Sequence, residues 1–309
     1  MSRRHVIAAG AVALACAFVA VGFVGVASYA RNYWLYRGFP PPRDPAYVTQ
    51  PGTQEHIQVP STAIGGRAQD VYVYLPPGYA DNPTRRYPVL YLLHGFPGRP
   101  LAFLLTVRMG VVEDELVARN RAQPVILVMP FGSTGTFTDK EWANGVGQGE
   151  GWATFVARDV VRAIDSQYRT IATRSGRAIA GLSEGGYGAL NIAFQHPNEF
   201  GVVESWSGYE TAAKIRSIFG EDVRQLDANS PLLTLPKVAR ALRRQQTFIW
   251  FYTGHGDGDV RENRTFAGDL RRRHVPHLFF EPSGGHNWAL WRAEAQAAYL
   301  AAARRLGGA

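Results

Sequence analysis

Ser183 stands in the stretch Ala180-Gly181-Leu182-Ser183-Glu184-Gly185-Gly186-Tyr187-Gly188, and a serine between glycines at this spacing can act as a nucleophile. Gly-x-Ser-x-Gly suits a sharp strand-to-helix turn, where glycine leaves open the space that a Cβ would fill. In a chain with 33 glycines the pattern alone is weakly specific. Its flanks strengthen it, because the apolar run Arg177-Ala178-Ile179-Ala180 precedes it and the helical Tyr187-Gly188-Ala189-Leu190 follows. A serine hydroxyl is a weak nucleophile, so the reading demands a histidine to take its proton and a carboxylate to orient that histidine. In sheet enzymes that use such a turn, the three follow in the order serine, acid, histidine.

Downstream of Ser183 the histidines are His196, His255, His274, His277 and His286. His286 is the best placed base, in Ser283-Gly284-Gly285-His286-Asn287-Trp288 just after the last expected strand, whereas His274 and His277 flank that strand. The acid is expected after the preceding strand, in Thr253-Gly254-His255-Gly256-Asp257-Gly258-Asp259. Asp257 comes first after the glycine turn and is preferred, with Asp259 as the alternative and Glu262 third. A calcium loop at Asp257-Gly258-Asp259 fails at the next alternate position, which is Arg261 rather than an oxygen ligand. No other cluster has metal spacing, so neither a metal nor a cofactor is expected.

Acyl transfer also needs backbone N–H groups aimed at the developing oxyanion, one after the nucleophile and one from a loop behind an early strand. The run from Val89 to Gly98 supplies the second, and Phe96 is the expected donor because Pro97 has no N–H. His94 is expected to pack or hydrogen-bond locally.

These groups require a scaffold. Apolar runs of strand length fall at Asp70 to Leu75, Val89 to Leu93, Val125 to Met129, Ala178 to Ala180, Val202 to Ser205, Thr247 to Tyr252 and His277 to Phe280. Between them, helical spacing of apolar residues marks Val111 to Asn120, Trp152 to Gln167, Tyr187 to Gln195, Glu262 to Arg273 and Trp291 to Arg305. The alternation predicts an α/β fold with a doubly wound, mostly parallel sheet. Residues 209–246 fit it least well and read as short helical pieces around Ser230-Pro231.

At 309 residues and 46% hydrophobic, the chain can build one large domain plus an appendage. Its formal charge of +8 comes almost wholly from dispersed arginines, with only short runs such as Arg271-Arg272-Arg273, a distribution that argues against nucleic-acid recognition. Residues 1–30 read as a transmembrane anchor: Arg3, Arg4 and His5 precede an uncharged apolar run from Val6 to Ala27, against ~20 residues needed per span. A cleaved signal peptide ending at Ser28-Tyr29-Ala30, with secretion, is the alternative. Residues 31–50 read as an interfacial and Pro-rich linker, with Arg31, Tyr33, Trp34, Tyr36, Arg37 and Phe39 suited to a membrane surface and Pro40 to Pro45 stiff. The catalytic domain is expected over 51–309, on the extracytoplasmic side. The only cysteine, Cys16, excludes an intrachain disulfide.

The motifs YLLHGFPG, VILVMPFG, AGLSEGGYGAL, YTGHGD and GGHNWALW, in this order and spacing, resemble the esterase D family of α/β-hydrolases. That family includes feruloyl esterases, S-formylglutathione hydrolases and antigen 85 mycolyltransferases, and the likeness covers roughly residues 54–305. The resemblance implies an α/β-hydrolase fold, with Ser183 as nucleophile, Asp257 as acid, His286 as base and the N–H groups of Phe96 and Glu184 as oxyanion hole. The Glu184 side chain is then free to point away from the chemistry. The stretch matching Gly132 to Trp142 would lie near substrate, with Trp142 either a wall of the site or a packed surface residue. The mycolyltransferases carry an aspartate where His94 stands and an uncharged residue where Glu184 stands. Hydrolysis of a small-molecule or lipid ester is therefore expected first, acyl transfer to a cell-envelope acceptor second, and a non-catalytic membrane-tethered binding protein third.

Overall fold

The computed structural model describes residues 3–135, 138 and 140–307. In chain order the main elements are α1 (Arg3–Tyr36), β1 (Thr53–Ser61), β2 (Arg67–Leu75), β3 (Val89–Leu93), α2 (Met109–Ala118), β4 (Ile126–Pro130), α3 (Trp152–Thr154), α4 (Val161–Gln167), β5 (Arg177–Leu182) and α5 (Glu184–Gln195). They continue with β6 (Val202–Trp206), α6 (Arg216–Phe219), α7 (Val223–Ala228), α8 (Pro231–Arg244), β7 (Phe248–Tyr252), α9 (Val260–Arg272), β8 (His277–Phe280) and α10 (Trp288–Ala303). The eight strands form one sheet in the order β1-β2-β4-β3-β5-β6-β7-β8. β1 and β2 pair antiparallel, β2 joins β4 antiparallel, and every later pairing is parallel.

β3, β4, β5 and β6 are buried along their whole length, which is why they read as mostly apolar runs, with Arg177 in β5 and Glu204 and Ser205 in β6 as the buried exceptions. Alternate side chains go to opposite faces. Val89, Tyr91 and Leu93 join Val128, Ile179, Val203 and Phe251 on the face covered by Leu190 of α5, Leu242 of α8 and Phe266 of α9. Leu90 and Leu92 join Leu127, Ala178, Ala180 and Trp206 on the face covered by Leu116 of α2 and Tyr299 of α10. The sheet is thus doubly wound, as its sequence period requires. β1 escaped the apolar criterion because it is a polar edge strand, TQEHIQVPS, exposed over most of its length and carrying Pro60.

β6 carries an ionisable side chain into this core. Glu204 is fully buried, its Oε2 accepts a hydrogen bond from Trp206 Nε1 at 3.0 Å, and burial pushes its pKa up to about 8. Between its ordinary 4.5 and about 8 the folded protein holds this proton and the unfolded chain releases it, so stability falls as pH rises through that window. Glu204→Gln removes this contribution. The variant's melting temperature should gain on that of the wild type on going from about pH 5 to about pH 8; an unchanged difference would show that Glu204 is ionised in the folded state.

α1 continues beyond the expected end of the anchor at residue 30, because nothing from Arg31 to Tyr36 interrupts a helix; it stops where Gly38 takes φ +78° ahead of Pro40. Among the described residues no helix is long and apolar enough to cross a membrane. Within the run Val6 to Ala27, the side chains of residues 6–11, 13 and 15 lie outside the described residues, and the others are exposed. The end of α1 and the linker are tied to the sheet domain. Thr106 Oγ1 donates to the Tyr36 carbonyl at 3.0 Å, Arg108 donates to the Pro40 carbonyl at 2.9 Å, and Gly52 N–H donates to Asp114 at 3.1 Å.

Candidate active site

β5 ends at Leu182 and α5 begins at Glu184, so Ser183 alone turns the chain, at φ +56° and ψ −121°. A non-glycine residue held there costs ~1–3 kcal/mol and persists only where its surroundings enforce it. Two glycines permit the turn. A Cβ on Gly185 would sit 1.9 Å from the Leu93 carbonyl oxygen, and one on Gly181 would sit 2.2 Å from the backbone of Gly185. The turn is locked by Ser183 N–H donating to the Trp206 carbonyl at 2.9 Å.

The loops after β7 and β8 lie side by side. His255 N–H donates to the Pro282 carbonyl at 2.9 Å and Gly256 N–H to the Gly284 carbonyl at 2.8 Å, a close approach that leaves 2.6 Å between a Cβ on Gly254 and the Gly284 oxygen. This backbone pairing brings Asp257 Oδ2 to 2.9 Å from His286 Nδ1. Asn287, the next residue, caps α10 by accepting from Leu290 N–H at 3.1 Å, and Trp291 sets its ring edge-on to the imidazole at 5.1 Å. Held from both sides, His286 places Nε2 2.8 Å from Ser183 Oγ.

Asp257, rather than Asp259, meets the imidazole. Burial works to raise the Asp257 pKa, but hydrogen bonds from His286 and from the Asp259 N–H outweigh it and hold the carboxyl below its ordinary value. The Asp259 side chain is instead paired with Lys214, and Glu262 accepts from the Glu210 N–H at 2.6 Å. Ser207, which no motif points to, also favours the charged form of Asp257, although its buried hydroxyl makes no hydrogen bond of ordinary geometry among the described residues. Only its place at the end of the strand beside the serine turn could have singled it out.

Behind the Phe96 loop, His94 is buried and neutral, burial having lowered its pKa to about 4. Its Nε2 accepts from Gly132 N–H at 3.1 Å, so the proton sits on Nδ1, which donates to the Gly95 carbonyl at 3.0 Å. His94 therefore braces the loop, as the sequence suggested. Trp142 departs from expectation. It is fully buried rather than lining a cleft, because its indole N–H donates to the His94 carbonyl at 2.9 Å and its ring fills the spaces beside Gly132 and Gly188 that side chains would otherwise occupy. The Glu184 side chain is buried, and after burial itself and Glu141 its charge helps raise the pKa of the Tyr209 phenol. Among the described residues no group of acidic, histidine or cysteine side chains could hold a metal ion.

Comparison with known proteins agrees with this architecture. The chain is 35% identical over 257 residues to Esterase Rv1288 of Mycobacterium tuberculosis, covering 73% of this chain and 54% of that one. It is 25% identical over 351 residues to the diacylglycerol acyltransferase/mycolyltransferase Ag85A of Mycobacterium bovis, covering 99% and 93%. A solved ferulic acid esterase superposes with a TM-score of 0.73 at 25% identity, covering 84% of this chain and all of that one. The chain spans less than two thirds of the length of the first curated relatives it matches. The Esterase family model matches residues 61–301, which contain every strand from β2 to β8, the serine turn and both loops that meet it, and the chain belongs to that family.

Proposed function

We propose that the protein is a serine carboxylic-ester hydrolase working through an acyl-enzyme on Ser183. The observation that carries this reading is the hydrogen-bonded line Asp257–His286–Ser183, ending on a serine held in a strained turn. Ser183 Oγ attacks the ester carbonyl carbon while its proton passes to His286 Nε2, and Asp257 stabilises the imidazolium through Nδ1–H. The oxyanion is received by the N–H groups of Phe96 and Glu184, the latter at the positive end of α5. His286 then gives its proton to the leaving alcohol. In the second half it takes a proton from water, which attacks the acyl carbon, and returns it to Ser183 Oγ as the bond to Ser183 breaks and the carboxylic acid leaves. Acyl transfer would follow the same path with an acceptor alcohol replacing water, a second reading that the likeness to Ag85A over nearly the whole chain supports.

The proposal extends to place. The uncharged run Val6 to Ala27 and the exposed Tyr29, Tyr33 and Trp34 that follow it support a membrane-anchored enzyme with its catalytic domain outside the cytoplasm. One experiment tests both parts. A fluorophosphonate applied to cells making the full chain should label it in the membrane fraction, on the peptide that contains Ser183. Label on another residue would overturn the site, and labelled protein confined to the soluble fraction would overturn the anchor.

A further inference from the structure

The segment that leaves α1 lies outside the stretch matched by the family, yet it forms one wall of a cavity of about 500 Å³. Tyr36 and Phe39 line it together with Leu101, Leu105, Phe131 and Arg99. The size falls within the ~300–1,000 Å³ usual for small-molecule sites. Its walls are mainly apolar, with Arg37, Asp70 and Arg99 as the charged lining residues, and partly bare to water, Phe39 being 54% and Leu105 40% exposed. Covering such surface stabilises a complex by roughly 25 cal/mol per Å².

Tyr36 ties the cavity to the chemistry. Its hydroxyl lies 3.4 Å from the carbonyl oxygen of Pro97, next to the Phe96 donor, and its ring is 5.3 Å from Trp288, two residues beyond His286. Phe131 shares that neighbourhood, since it packs 5.6 Å from His94, the residue that braces the same loop. The lining is continuous with α1, whose Phe23, Val24, Val26 and Tyr29 expose an apolar surface leading toward Trp34, another lining residue. The cavity therefore lies between the end of α1 and residues that pack against the Phe96 loop, with Tyr36 as the group shared by both.

We propose that this cavity receives the acyl chain of a medium- or long-chain ester, with Trp34, Tyr36 and Phe39 of the N-terminal segment as part of the substrate site. The proposal rests on the esterase reading of Ser183. It makes the N-terminal segment a determinant of substrate length as well as a tether. Leu105 is the position from which to test it, because it lines the cavity and is 40% exposed, whereas its neighbours Leu104 and Thr106 are buried.

The test uses the full chain in lipid nanodiscs with p-nitrophenyl acetate and p-nitrophenyl decanoate, the latter supplied both below its solubility limit and within the bilayer. In Leu105→Trp the ratio of kcat/KM for decanoate to that for acetate should fall about tenfold or more in both forms of supply. An unchanged ratio, or a change that follows the length of the leaving alcohol instead of the acyl chain, would overturn the proposal. A binding arm separates it from the parent reading: in Ser183→Ala, a decanoyl ester brominated at its tail should quench tryptophan emission, and the quenching should fall when Trp34→Phe is added. Quenching without turnover of either ester by the wild type would sink the esterase reading and keep the cavity. Turnover of acetate with neither quenching nor an altered ratio would sink the cavity and keep the esterase.

Discussion

Ser183→Ala should lower kcat for a p-nitrophenyl ester by about a million-fold, the scale seen when the nucleophile of a serine hydrolase is removed. The reason is local. His286 Nε2 lies 2.8 Å from Ser183 Oγ, and removing that oxygen leaves the base nothing to activate except water. The fold should survive, because alanine keeps the Cβ and the turn is enforced by the Trp206 carbonyl and by the backbone approach around Gly181 and Gly185. Alanine inherits the strain of φ +56° rather than relieving it, so the melting temperature should stay close to that of the wild type. Steady-state hydrolysis beside a thermal melt checks both parts. A loss of less than about a hundredfold would mean that a different group attacks the ester.

Asp257→Asn should lower kcat by about ten thousand-fold, with KM little altered. The wild-type carboxylate accepts from His286 Nδ1 and is held below its ordinary pKa, so it stays charged well into the acid range and keeps the imidazole in the tautomer whose Nε2 is free to accept. An asparagine amide can donate to Nδ1 instead. That selects the other tautomer, in which Nε2 already bears a proton and cannot take one from Ser183. Asp259→Asn is the contrasting case. Asp259 contributes its main-chain N–H to Asp257 at 3.1 Å, which the substitution keeps, while its side chain is engaged with Lys214. Its turnover should stay within about fivefold of the wild type. Equal losses in the two variants would reassign the acid.

How far the sequence reaches depends on what kind of force places a residue. β3 to β6 were legible because a strand buried on both faces is mostly apolar, and the few buried polar residues, such as Glu204, do not set an alternating polar register. β1 was not, since an edge strand gains its stability from hydrogen bonds to β2, which any side chain permits. The glycines of the serine turn were legible for a steric reason that is local in the chain. The sequence left Trp142 open between wall and packed residue, because enclosure is decided by what packs around a residue, here Gly132, Gly188 and the His94 carbonyl, all distant in sequence.

From the sequence alone came the sheet class, the strained serine turn and the order serine, acid, histidine, all of which follow from local sterics and hydrophobic period. The tertiary structure decided which aspartate meets His286, because that depends on how the loops after β7 and β8 pair through Gly256 and Gly284. It also decided that the end of α1 lies against the Phe96 loop, beside a cavity that composition could not announce. Both outcomes rest on contacts between segments far apart in the chain, and such contacts leave no periodic trace in either segment.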